Sequence, residues 1–366
     1  MSTTHPSYSL KSNEADARRH LDAFWLGKSL GRPALAITAR NPGHVFRPFP
    51  GDDKLTGHEK QLLPEWHAHN AENALNSVLW LGESLPKVTV SGGITFFNEL
   101  LGGTYTLDGG TAWVDERTDI LERPLPRFDP SHPLIVRLDE RIRAMAEVVG
   151  RRGYVNPPFL GVDPLTALSL FRGGENLCLD LVERAEEVIA WCAAATEVYI
   201  ATHDHFFQLL TRLGHGENSS WYESASQTRF EAIQCDAAVM ISPDMFEEFV
   251  LPDLARMTAY LDRSLYHLDG IGQLRFLEQL ATLPRLNGIQ WNPEPSSQDP
   301  LQWLETFRDI RNRGWLLLFN QWECRTVEQA VAITASVGTD GLFLTLPTFD
   351  TEAEAHAAIA AIEQAT

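Results

Sequence analysis

The chain has 366 residues, 44% of them hydrophobic, with 49 acidic side chains against 30 basic ones and a formal charge of −19. That much apolar material can bury a large core, and α/β barrels of this length commonly form one unit. An acidic balance of this size excludes the broad basic face that phosphate neutralisation requires, so neither nucleic acid nor an anionic membrane surface is an expected partner.

In chain order, residues 1–30 read as an arm followed by a helix, with the apolar positions of Ala17–Leu26 at helical spacing. Residues 31–366 then alternate short β-rich runs with helical patterns, which predicts one domain built of βα units around a parallel sheet. The β-rich runs are Pro33–Thr38, Lys87–Ser91, Tyr154–Leu160, Phe230–Cys235, Ser264–His267, Gly288–Trp291, Trp315–Asn320 and Gly341–Leu346. Trp66–Leu81 reads as a helix between the first two runs. Gln273–Leu283, Leu301–Arg313, Thr326–Val337 and Thr351–Gln364 read as amphipathic helices after the later ones. Ser242-Pro243 predicts an N-cap with proline at the first helical position, and Thr351-Glu352-Ala353-Glu354 a capping box. Eight strands alternating with helices suit a closed (β/α)8 barrel, also called a TIM barrel. The alternative is an open doubly wound sheet, but its dinucleotide turn, G-x-G-x-x-G, is absent.

No apolar run reaches the roughly 18 residues a membrane helix needs. The polar stretch Met1–Glu14 lacks the basic-then-apolar order of a leader, so a cytoplasmic location is expected. The four cysteines, Cys178, Cys192, Cys235 and Cys324, include no C-x-x-C pair and do not suggest a disulfide framework. Cys178 and Cys192 fall in helical pattern and are expected in the core.

A barrel carries its chemistry at the carboxyl ends of its strands and in the loops that follow. That rule selects Arg40 and Asn41, Cys235 and Asp236, His267 and Asp269, Gln290, Asn292 and Glu294, Asn320, Gln321, Glu323 and Cys324, and Thr345 and Thr348. His267 and Asp269 are two apart on an extended run, so their side chains share a face. Together they can ligate a divalent metal or work as an acid–base pair. Cys324 or Cys235 is the candidate third donor. The bland alternative gives His267 a hydrogen bond within the mouth, Asp269 a cap, and the thiols a place in the core. Trp221, Tyr222 and Glu223 precede the fourth strand and are placed to cover the mouth and line a substrate pocket.

Several of these residues stand in a familiar order. Ser242-Pro243, Phe246, Glu248-Phe249 and Pro252 resemble the S-P-x-x-F-x-E-F-x-x-P signature of the uroporphyrinogen decarboxylase-like superfamily. Ile289-Gln290-Trp291 resembles its L-D-W strand. Arg172-Gly173-Gly174-Glu175-Asn176, followed by Asp180-Leu181, resembles its R-G-x-E-N-L…D-L region. Phe24-Trp25 through Arg32-Pro33 fits one branch, and the resemblance runs from about residue 20 to the end. It implies a (β/α)8 barrel that acts either as a decarboxylase or as a methyltransferase moving a methyl group between a corrinoid and a thiol.

The decarboxylases of that superfamily carry an arginine-rich loop after the first strand. Here the stretch is Ala39-Arg40-Asn41-Pro42-Gly43, and Cys235 stands at the position of their fourth-strand aspartate. The thiol methyltransferases carry His-x-Cys after the fifth strand and a late cysteine after the eighth. Here those positions read His267-Leu268-Asp269 and Pro347-Thr348. The leading expectation is metal-dependent methyl transfer on a small molecule. Zinc is the expected ion, and a corrinoid is expected to be carried by a partner protein. His267, Asp269 and Cys324 are the metal ligands, His267, Asp269, Cys235 and Arg40 the catalytic candidates, and Gln290, Asn320, Trp221 and Tyr222 the substrate contacts. The alternative is a decarboxylase or other lyase in which Arg40 holds a carboxylate. A third reading is a barrel that binds a small ligand without turnover. Related barrels often pair, so a homodimer is also an expectation.

Overall fold

The computed structural model describes residues 8–93, 95–108, 111–295 and 298–366. Its strands, in chain order, are β1 (Ala34–Arg40), β2 (Val78–Gly82), β3 (Lys87–Thr89), β4 (Tyr105–Asp108), β5 (Thr111–Val114), β6 (Tyr154–Asn156), β7 (Phe230–Ile233), β8 (Arg263–Asp269), β9 (Gly288–Asn292), β10 (Leu316–Phe319) and β11 (Leu342–Thr345). A seven-stranded sheet runs in the order β2-β1-β11-β10-β9-β8-β7. All its ladders are parallel except that of β2, which returns antiparallel along β1. β3 and β6 form a separate parallel pair, and β4 and β5 an antiparallel one. The fold class is therefore α/β with a mostly parallel sheet.

Each of the eight expected runs contains a strand. The third is cut to Tyr154–Asn156, because Pro157 and Pro158 have no N–H to give a ladder. The helix expected over Trp66–Leu81 stops at Ser77, and Val78–Gly82 becomes β2. Val78-Leu79-Trp80-Leu81 continues the apolar pattern, but the edge of β1 offers it a ladder, with Thr38 opposite Trp80. The expected caps form: the Ser242 hydroxyl accepts from the Met245 N–H, and Thr351 and Glu354 close a capping box.

The sheet buries both faces, which is why its strands read as nearly unbroken apolar runs. Side chains alternate along each strand. Leu35, Ile37, Ile233, Tyr266, Leu268, Ile289, Leu317 and Leu344 belong to the larger cluster, together with apolar side chains of the helices. Ala34, Ala36, Phe230, Ala232, Leu265, Leu316, Leu318 and Phe343 form the second, with Leu21, Phe24 and Trp25 of the helix Glu14–Trp25. That helix therefore shares the sheet's core: Phe24 meets Phe343 at 5.2 Å and Trp25 meets Phe230 at 4.8 Å between ring centroids.

Six parallel ladders join the eight expected strands. Among the described residues no ladder joins β1 to β3 or β6 to β7. Side chains tie β1 to the segment that leads from β2 into β3, and they bridge the gap from β6 to β7. At the first, the Arg32 guanidinium grips Glu83 at 2.7 and 2.9 Å. Glu83 in turn accepts from the Leu35 N–H at 2.5 Å and donates its own N–H to the Leu35 carbonyl at 2.8 Å. At the second, Asn156 accepts from the Ser219 N–H at 2.8 Å and donates to the Ser220 carbonyl at 2.5 Å. The Ser220 hydroxyl then reaches the Glu231 carboxylate on β7. Among the described residues no helix is long and apolar enough to cross a membrane.

Candidate functional site

Parallel strands bring their carboxyl ends to one side, and the residues of the second face project there beyond the apolar cluster. On β8, Leu265 is in that cluster, and His267 and Asp269 follow it at the two-residue period. Their shared face is realised: His267 Nε2 lies 3.8 Å from Asp269 Oδ1.

His267 is fixed from behind. Its Nδ1 meets the side-chain oxygen of Gln290, which also accepts from the Tyr222 hydroxyl at 3.1 Å. The Gln290 amide NH2 is spent on the Trp291 carbonyl at 2.5 Å, so an oxygen faces Nδ1. That arrangement puts the proton of the neutral ring on Nδ1 and leaves the Nε2 lone pair toward Asp269. Burial lowers the pKa of His267 below its ordinary value, against the smaller upward pulls of Gln290 and Asp269. The ring is therefore neutral at pH 7. Asp269 is held by the Asn292 amide at 2.7 Å.

The same side carries carboxyls of the opposite tendency. Asp236 is pushed up to about 7 by burial and by the neighbouring Asp163 and Asp269. Gln234 donates to its Oδ2 at 3.2 Å, while its buried Oδ1 has no partner among the described residues. Glu323 is likewise pushed up to about 7, by burial, although it accepts from the Asn320 N–H at 2.7 Å.

A cleft of about 280 Å³ opens beside this group, at the ends of β1, β10 and β11. Thr38, Asn320, Gln321, Thr345 and Thr348 line it with neutral polar groups. Trp80, Trp221 and Trp322 give it aromatic walls, and Glu223 is the charged residue on its surface. Trp221 joins the cleft to the histidine, its indole meeting the His267 ring edge-on at 5.4 Å. Residues 218–222 hold it there on a strained backbone. Ser220 has φ +51°, in the left-handed region disfavoured by a side chain. The Ser220 N–H is fixed on Asn218 Oδ1 at 2.9 Å, and its carbonyl and hydroxyl are fixed by Asn156 and Glu231.

The strand-end candidates thus separate. His267, Asp269, Gln290, Tyr222 and Trp221 form one connected group, and Asn320 lines the cleft beside it. Gln290 and Tyr222 are fully buried and hold the histidine instead of facing open space. Arg40 does not reach the cleft; it is mostly exposed and pairs with Asp350 at 3.0 Å. Cys235 and Cys324 pack in the helix-side cluster, on the other side of the sheet from the face of His267. Burial and the nearby Asp163 raise the Cys235 thiol well above its ordinary value, and burial pushes Cys324 up to about 12. Both are poor thiolates at neutral pH. Cys192 is buried as expected, but Cys178 is exposed, because its helix Gly174–Glu183 turns that side outward.

The metal expectation fares accordingly. His267 and Asp269 offer two donors, Cys324 does not join them, and no group of three or more His, Cys, Asp or Glu among the described residues is arranged to hold an ion. Two of the three expected donors therefore stand side by side, and the third is held elsewhere. Trp80 and Trp322 are the aromatic lining residues that the sequence did not single out, and Thr38 and Ser84 are polar ones it also passed over. Trp80 was hidden inside an expected helix, and Trp322 between two candidate positions. No family model and no curated protein matches this chain.

Proposed function

We propose that this chain is a (β/α)8-barrel enzyme of the uroporphyrinogen decarboxylase-like superfamily. In this reading it transfers a methyl group between a partner-borne corrinoid and a small molecule held at the strand ends. The motif order around Arg172, Ser242 and Ile289 supports the family. Ring contacts support closure: adjacent Phe24 and Trp25, 5.0 Å apart, touch Phe343 on β11 and Phe230 on β7 at 5.2 and 4.8 Å. In a flat sheet those strands, four spacings apart, would be separated by roughly 19 Å. A sheet that curls toward a cylinder brings such strands within easier reach of two adjacent rings, which supports the barrel reading.

The observation that carries the chemistry is the fixed imidazole. With its proton on Nδ1 toward Gln290, His267 presents Nε2 as a general base at neutral pH. A thiol or other X–H acceptor gives up its proton to Nε2 as its heteroatom takes the methyl group. Asp269, 3.8 Å from Nε2, then stabilises the imidazolium. Asn320 and the threonines of the cleft orient the acceptor by hydrogen bonds. The corrinoid would supply the methyl group as an electrophile and, as leaving group, keep the electron pair of the bond that breaks.

The cleft's lining favours transfer over decarboxylation of a polyanionic tetrapyrrole. No Arg or Lys is among the residues that line it, and carboxylates need fixed cations. One observation does favour a lyase step as the second reading: Asp236, raised to about 7 and with one oxygen unpartnered among the described residues, can hold a proton at neutral pH for delivery to a carbanion.

The test is demethylation of methylcobalamin by a panel of small thiols, followed by the visible absorbance of the corrinoid. The wild type should accelerate it, and His267→Ala should lose about 100-fold or more with the fold retained by circular dichroism. No acceleration with any thiol, or full activity in His267→Ala, would overturn the transfer reading. Activity confined to a carboxylic acid and abolished by Asp236→Asn would establish the second.

A further inference from the structure

The cleft has more unused acceptor capacity than a neutral polar pocket requires. Glu223 Oε1 is held by the Lys87 ammonium at 3.0 Å. Lys87 is itself anchored on the Ser219 hydroxyl at 3.0 Å and on the Tyr222 carbonyl. Glu223 Oε2, by contrast, is buried and has no hydrogen-bond partner among the described residues, and so is Thr345 Oγ1. Both residues line the cleft. An unpartnered carboxylate oxygen out of water is costly, and a cationic ligand relieves that cost. The walls fit the same ligand. Indole rings attract cations more strongly than other aromatic rings do, and Trp80, Trp221 and Trp322 share this small space. No lysine or arginine lines the cleft to compete with a bound cation.

We propose that this cleft takes a small alkylammonium ion, with the Glu223 carboxylate as its counter-ion and the indoles of Trp80, Trp221 and Trp322 as its walls. The proposal deepens the reading of the strand ends as a substrate site and rests on it. A methylated ammonium fits on chemical grounds: its methyl groups spread the positive charge over a surface that indoles contact without losing hydrogen bonds. The neutral side chains Asn320, Gln321 and Thr348 can take a hydroxyl or amide elsewhere on the same molecule. Lys87 works at one remove, holding one Glu223 oxygen and so fixing the carboxylate at the cleft's edge.

The test compares choline with 3,3-dimethylbutan-1-ol, which replaces the charged nitrogen by carbon and keeps shape and hydroxyl. Binding to the full-length protein is read by calorimetry and by tryptophan fluorescence, with glucose and acetate as further arms. Choline should bind at least ten-fold more tightly than the carbon isostere. Glu223→Gln should erase that preference while leaving the isostere's affinity unchanged. Trp221→Phe, which keeps an aromatic wall, should retain the preference at weaker affinity. Equal binding of choline and the isostere, preference for glucose or acetate, or an unchanged choline affinity in Glu223→Gln would each overturn the proposal. The two readings fail separately. Choline binding without any methyl transfer leaves the cation site standing and removes the transferase. Thiol-dependent transfer that choline neither binds to nor inhibits removes the cation site alone.

Discussion

Glu231 offers the sharpest test of how the gap between β6 and β7 is bridged. It is 1% exposed, accepts from the Ala232 N–H at 3.0 Å, and takes the Ser220 hydroxyl that links the two strands. Burial pushes its pKa from 4.5 up to about 7, against the downward pull of those hydrogen bonds. The sign follows from proton linkage. Below pH 4.5 the folded and unfolded chains both hold the proton. Between 4.5 and 7 only the folded chain does, so stability falls as pH rises, and above 7 the loss is complete. At about 1.4 kcal/mol per pH unit, the window is worth roughly 3 kcal/mol. Glu231→Gln removes the titration. Its new amide also faces the Leu160 N–H that the carboxyl accepts from, a pH-independent penalty of about 1–3 kcal/mol. Urea unfolding of both proteins at pH 5, 6, 7 and 8 separates the two effects. The variant's stability relative to wild type should climb with pH by about 2–3 kcal/mol across that range, most steeply between about pH 5 and 6.5 and levelling off above 7. A difference that stays flat with pH would show that Glu231 is not a buried, proton-retaining carboxyl in this seam.

Three further outcomes are expected. Methyl transfer should hold steady through neutral pH and fall only on an acid limb below the ordinary histidine range, where His267 protonates; Asp269→Asn, which removes an upward pull on that pKa, should move the acid limb to lower pH, and a shift the other way in the rate profile would contradict the assignment. Gln290→Leu frees Nδ1, lets the ring choose the wrong tautomer, and should cut kcat about 10- to 100-fold with KM little changed in steady-state assays. Trp25→Ala removes contacts to Phe230 and the Ala225 carbonyl and should cost about 3–5 kcal/mol in urea unfolding, with no change in ligand affinity at the opposite end of the strands.

The strands from β7 to β11 are readable in the sequence because each is a short apolar run set between helical patterns, as in Leu316-Leu317-Leu318-Phe319. The ties of β1 to the segment leading into β3, and of β6 to β7, are not. They depend on single side chains whose partners lie far along the chain: Glu83 with Leu35, 48 residues apart, and Asn156 with Ser220, 64 apart. The pairing of His267 with Asp269 follows from strand period alone. Strand-end position by itself misplaces the cysteines, since it says nothing about the face. Alternation from Phe230, which faces the second cluster, puts Cys235 with Ile233 on the helix side. Arg40 continues the inward series of Ala36 and Thr38, yet at the end of β1 its long side chain turns to Asp350 instead. Trp80 escapes sequence reading because its apolar run follows a helix without a break, and only the free edge of β1 explains its strand. Glu223 is visible as a loop carboxylate, but its unpaired oxygen depends on where Lys87 arrives from β3.

The tautomer and titration of one ring bear most directly on the chemistry proposed for the strand ends. Nitrogen-15 NMR of the histidines, with His267→Gln to assign the signal, should show the His267 proton on Nδ1 and a midpoint below 6.5. A ring protonated on Nε2 when neutral, or one titrating above 6.5, would leave the site without the base that methyl transfer requires.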